Sequence, residues 1–149
     1  MKLHNKKGAI RAEFQNLAND AVRAYGGKVI EFIDYGYCSY IVVHAQIAHK
    51  TVYIVASHSG YIAFTYSEPK IMETYSWVDI PDLAKHFRPY FKVLSAKKLN
   101  EETTIVGHHS KNTLCYLKND FDYDKEAWSY DLDYWRPKTI GEIIFNGWD

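Results

Sequence analysis

Cysteine is nearly missing: Cys38 and Cys115 are the only 2, far apart and without CxxC spacing. Both sit in apolar, strand-like surroundings (YCSYIVV and TLCYLK). That argues against a disulfide scaffold and for buried free thiols. A long hydrophobic run is also missing. The most apolar window, residues 39–56, is interrupted by His44, Gln46, His49 and Lys50, so no transmembrane helix and no membrane partner are expected. The opening MKLHNKKGAIRAEF lacks the apolar stretch of a signal peptide, and a cytoplasmic protein is expected. Net charge is absent, with Lys+Arg 18 against Asp+Glu 18, which speaks against a globally basic nucleic-acid binder. No GxSxG elbow, HExxH or HxH spacing occurs, and Gly26-Gly27 and Gly36 lack the spacing of a dinucleotide loop. No cofactor is expected.

What remains is an ordinary globular composition, 47% apolar and 24% charged, in a length that suits a single domain over residues 1–149. The unusual abundance is tyrosine, 13 copies within 16% aromatics, which favours sheet and offers surface anchors. The charge balance hides a segregation. Lys2, Lys6, Lys7, Arg11, Arg23 and Lys28 outnumber Glu13 and Asp20 at one end, and Lys85, Arg88, Lys92, Lys97 and Lys98 stand without an acid in residues 83–100. The acidic counterweight lies largely in residues 119–135.

In residues 8–25, Ile10, Phe14, Leu17, Ala18, Ala21, Val22 and Tyr25 recur at the 3.6-residue helical period, and Gly26-Gly27 supplies the stop. Residues 28–35, 37–47, 50–57 and 60–67 are rich in β-branched and aromatic residues, with breaks too short for anything but antiparallel neighbours. A second helix is expected over residues 79–90, capped by Asp79, with Pro81 in its first turn and Pro89 at its end. Residues 91–95, 103–106 and 112–117 read as short strands, the first two joined by a turn. Thr139 and Glu142 have capping-box spacing for a short C-terminal helix through Phe145, with Ile140, Ile143 and Ile144 as its core contacts. The expected fold class is α+β: one antiparallel meander of about five to seven strands, packed by the N-terminal helix and one or two further short helices. The first two helices would cover one face, and the C-terminal helix would close an end.

The histidines (His4, His44, His49, His58, His86, His108 and His109) form no cluster with metal-ligand spacing, and each is better read as structural. His108-His109 in VGHHSKN is the most site-like of them, although adjacent side chains point apart. Ser57-His58-Ser59-Gly60 places hydroxyls beside an imidazole but reads as a hairpin turn. Asp120-x-Asp122-x-Asp124 faintly resembles a calcium loop but lacks its glycine, and Asp131 stands where the closing glutamate belongs. No catalytic residue and no metal ligand is assigned.

The segment NDFDYDKEAWSYDLDYW, residues 119–135, is the richest in information. It interleaves Asp120, Asp122, Asp124, Glu126, Asp131 and Asp133 with Phe121, Tyr123, Trp128, Tyr130, Tyr134 and Trp135, against Lys125 as the one base. As a strand it would place Asp120, Asp122 and Asp124 on one face and Phe121 and Tyr123 on the other. A merely solvated acidic loop is the plainer reading. The density of rings favours a recognition surface, because so many cannot be buried in one short polar stretch.

In its lack of a catalytic signature, its compact size and this acidic, Tyr/Trp-rich stretch, the chain resembles bacterial toxin-immunity proteins, including those of contact-dependent inhibition systems. The resemblance implies a non-enzymatic inhibitor that binds a cognate protein toxin with a basic active-site surface, often a nuclease. Asp120, Asp122, Asp124, Glu126, Asp131 and Asp133 would pair with its bases, and Tyr123, Trp128, Tyr130 and Trp135 would be the anchors. The chain departs from that class in being neutral overall. The alternative is a small-molecule or enzymatic α+β domain with an aromatic pocket of Tyr40, His44, Tyr53 and Phe64, His44 being its polar group. A nucleic-acid-associated regulator using the basic stretches is a weaker third.

Overall fold

The computed structural model describes residues 3–36, 38–69 and 76–148. Tyr37, the first residue of the expected second strand, Lys2, and the side chains of His4, Lys6 and Lys7 lie outside what is described.

The opening helix α1 spans Leu3–Ala24, starting earlier than the apolar period required. Phe14, Ala18, Ala21 and Val22 are buried, while Arg11, Glu13, Asn16, Asp20 and Arg23 are exposed. Gly26, at φ +73°, turns the chain into the left-handed region, and the Gly27 N–H donates to the Val22 carbonyl at 2.9 Å. Tyr25 falls past the helix end and is exposed, its hydroxyl donating to the Asp82 carbonyl at 3.1 Å.

Four strands follow as an antiparallel meander: β1 (Lys28–Ile33), β2 (Tyr40–Ile47), β3 (Lys50–Ser57) and β4 (Tyr61–Thr65). The β2–β3 hairpin pairs Ile47 with Lys50 across Ala48-His49, whose φ values of 51° and 65° give the tight two-residue turn without a glycine. β5 (Trp77–Val78) pairs antiparallel with β4, completing the order β1-β2-β3-β4-β5. β6 (Lys92–Val93) pairs with β4 in parallel, so the six-stranded sheet is not a pure meander. Helix α2 (Pro81–Phe87) supplies the crossover between β5 and β6.

Side chains alternate between two cores. Ile41, Val43, Val52, Ile54, Ile62 and Phe64 face Phe14 of α1 and Leu83 and Phe87 of α2. Tyr40, Val42, Val55 and Ala63 face the opposite side with Leu99, Leu117, Leu132, Ile140, Ile143 and Phe145. The sheet is therefore covered on both faces, not one. The reason is legible in β2–β4, where apolar residues stand at consecutive rather than alternate positions. Each such residue fully buried is stabilised by roughly 1.5–3 kcal/mol relative to exposure.

The second face is built by α3 (Ala96–Leu99), β7 (Ile105–Val106) paired antiparallel with β8 (Tyr116–Leu117), α4 (Lys125–Trp135) and α5 (Ile140–Ile144). The expected turn after β6 is thus a short helix. Asp79 does not cap α2, whose N-cap residue is Ile80 and makes no side-chain cap. The Asp79 Oδ1 instead accepts the Ala96 N–H at 2.8 Å in the first turn of α3, which is capped by Ser95 accepting the Lys98 N–H at 3.1 Å. Thr139 accepts the Glu142 N–H at 3.2 Å, and the Glu142 carboxylate takes the Lys138 N–H instead of closing the box on Thr139. Ile140, Ile143 and Ile144 are buried, so α5 lies on the sheet face rather than at an end.

Candidate interaction surface

The acidic-aromatic segment opens with a bend at residues 119–120, runs irregularly to Asp124 and becomes helical at Lys125, so its first acids do not lie on a strand. Asp124 is the N-cap, its Oδ1 accepting the Glu126 and Ala127 N–H groups at 3.1 and 3.0 Å. Glu126 lies in the first turn, where a negative charge suits the helix dipole. Ser129 and Leu132 are fully buried at i and i+3, which seats α4 on the second core. Arg136, at φ 45°, closes the helix in the left-handed region, ahead of Pro137.

One side of α4 is tied to the loop after β7. Asp133 accepts hydrogen bonds from Arg136 at 2.7 Å and from the His109 N–H at 3.0 Å, and His108 Nδ1 lies 3.0 Å from it. These donors hold the Asp133 carboxyl well below the usual carboxylate range. Arg136 also donates to the Gly107 carbonyl at 2.8 Å. Ser129 Oγ accepts the Cys115 N–H at 2.8 Å and lies 2.8 Å from His109 Nδ1.

Serine, histidine and aspartate thus gather here, but not as a nucleophilic triad. Asp133 meets the backbone of His109 rather than its ring, and Ser129 is 0% exposed, so no substrate reaches its hydroxyl. The arrangement is a lock between loop and helix. Among the described residues no group of three or more His, Cys, Asp or Glu could hold a metal ion. Cys38 and Cys115 are free and buried, and burial pushes both thiols up.

The outer side of α4 carries a continuous run of rings. His109 stands edge-on to Tyr130 at 5.8 Å, and Tyr130 stacks on Tyr134 at 5.8 Å with 14° between planes. Tyr134 meets Trp135 edge-on at 4.9 Å, and Trp135 stacks on Trp148 at 5.8 Å and 3°. Tyr130 and Tyr134 are 58% and 64% exposed, the largest values among the tyrosines of this helix region. Their i, i+4 spacing places them one above the other.

The expected partner-binding residues separate into two groups. Asp124 and Asp133 are committed to the cap and the lock. Tyr123 is half-buried, its hydroxyl accepting the Leu117 N–H at 2.7 Å, and Trp128 packs on it at 5.0 Å and on Phe121 at 6.0 Å. Asp120, Asp122, Glu126 and Asp131 have no side-chain hydrogen bond or ion pair among the described residues; Tyr130 is exposed, and Trp135 is half-buried between Tyr134 and Trp148. Tyr134, His109 and Trp148 complete the run of rings and were not among the expected anchors. The i, i+4 repeat of Tyr130 and Tyr134 points to the first; His109 and Trp148 arrive through tertiary packing.

The alternative aromatic pocket is not assembled. His44 stacks on Tyr53 at 4.9 Å on the second face with Tyr40, whereas Phe64 belongs to the first core, because its position in β4 has the opposite parity. Among the described residues no helix is long and apolar enough to cross a membrane. No family model, curated protein or solved structure matches the chain.

Proposed function

We propose that the protein is a non-enzymatic inhibitor, of the toxin-immunity type it resembles, that covers a basic surface of a cognate protein toxin with the outer face of α4. The observation that carries this reading is the ring run from His109 to Trp148, exposed at His109, Tyr130 and Tyr134 and half-buried at its two tryptophans, with Glu126 and Asp131 of the same helix making no side-chain hydrogen bond or ion pair among the described residues. Tyrosine pairs supply contact area at low entropy cost, and uncommitted carboxylates favour a basic partner over other surfaces. The committed residues serve the same end, since Asp133, Arg136 and Ser129 hold α4 in a fixed position before binding.

The experiment is affinity capture by the tagged protein from its native lysate, with neighbouring open reading frames as candidates. Stoichiometric recovery of one basic polypeptide whose toxic activity is blocked by adding the protein is the expected result. Recovery of no such polypeptide, or of one whose activity is untouched, contradicts the proposal.

A further inference from the structure

Beside the ring run lies a cleft of about 290 Å³. Trp128 and Asp131 of α4, Trp148, Asn146, Ser39 and His58 contribute to its lining. Its size falls at or just below the range of about 300–1,000 Å³ in which drug-sized ligands are held, so it suits a single side chain better than a cofactor.

Most of its polar groups are already used. Ser39 Oγ donates to the Ile144 carbonyl at 2.8 Å and accepts the Asn146 N–H at 2.9 Å. The Asn146 side chain donates to the Ile143 carbonyl at 2.6 Å and accepts the Trp148 N–H at 3.1 Å. Asp131 is different: it is half-buried, lines the cleft, and makes no hydrogen bond or ion pair among the described residues. A partly desolvated carboxylate without a donor, in a cleft that two indoles line, is a site complementary to a cation.

We infer that this cleft receives an arginine side chain of the bound partner. Resting on the inhibitor reading above, this makes Asp131 and the two indoles the specific contact within the wider surface. A guanidinium fits better than an ammonium. Its plane stacks on indole, its paired N–H groups match the two oxygens of Asp131, and it sheds water more readily. Trp148 presses its ring against Trp135, so the filled cleft would be continuous with the exposed tyrosines.

The test needs no partner. Blocked arginine (N-acetyl-arginine methylamide) is titrated into the protein while the indole N–H signals of Trp128 and Trp148 are followed by NMR, with the corresponding citrulline derivative as the uncharged isostere. Saturable shifts of both indoles with arginine, at least tenfold weaker with citrulline and in Asp131→Asn, are expected. Equal responses to the two compounds, or an Asp131→Asn protein that binds as wild type does, overturn the inference. The two proposals fail separately. Capture of a neutralised toxin without an arginine response removes the cleft alone; an arginine response without any toxin removes the inhibitor reading alone.

Discussion

Asp133 shows how a single residue can be acidic without being available. Arg136, the His109 N–H and His108 surround it, and its carboxyl is held below the ordinary value for that reason. Glu101 is shifted in the same direction by Asn119 and Lys98. A carboxylate lowered on folding binds fewer protons folded than unfolded. Its stabilisation is therefore full above the ordinary aspartate value near ~4 and is lost as pH falls toward the depressed one. Wild type is expected to melt above Asp133→Asn at neutral pH, with the gap closing between about pH 5 and about pH 2. A gap independent of pH across thermal melts would show that Asp133 is not charged in the lock. Sequence alone does not separate Asp133 from Asp131, since both are acids on a tyrosine-rich stretch; the difference is made by His108, His109 and Arg136 reaching one and not the other.

At the scale of elements, α1 and the β1–β4 hairpins are legible because long periodic patterns and short turns leave little choice. The acidic segment is harder. Asp120, Asp122 and Asp124 alternate as a strand would, and the change to helical period begins only at Lys125, where the signal is a single Asp cap. α3 is too short to show a period, and the parallel seat of β6 depends on where α2 returns the chain. The packing of α4 also divides its aromatic residues. Trp128 rests on Phe121 and Tyr123, so Trp128→Ala is expected to destabilise the fold by about 2–4 kcal/mol, a little less than a fully buried ring. Tyr130→Ala should stay within about 0.5 kcal/mol of wild type, as a surface change does. Denaturant melts of the two variants check this, and equal losses would mean that Tyr130 is a core residue.

The whole molecule is a sheet between two helical layers, with α1 and α2 on one face and α4 with its rings on the other. Net neutrality is not shared evenly: on α1 the exposed Arg11 and Arg23 are balanced by the exposed Glu13 and Asp20, whereas α4 holds Glu126, Asp131 and Asp133 against Lys125. A neutral protein gains little from long-range steering, so the proposed recognition would rest on local contact. Consecutive apolar residues in β2–β4 hold the signal for two cores, but which face carries the exposed rings follows only from α4 lying over the second one. Affinity for the captured basic polypeptide, measured for wild type and for Tyr130→Ala/Tyr134→Ala beside their melting temperatures, tests this account most directly. The account predicts binding weakened by at least about 30-fold, about 2 kcal/mol, with melting unchanged within ~2 °C. Unchanged affinity in a folded double variant would contradict it.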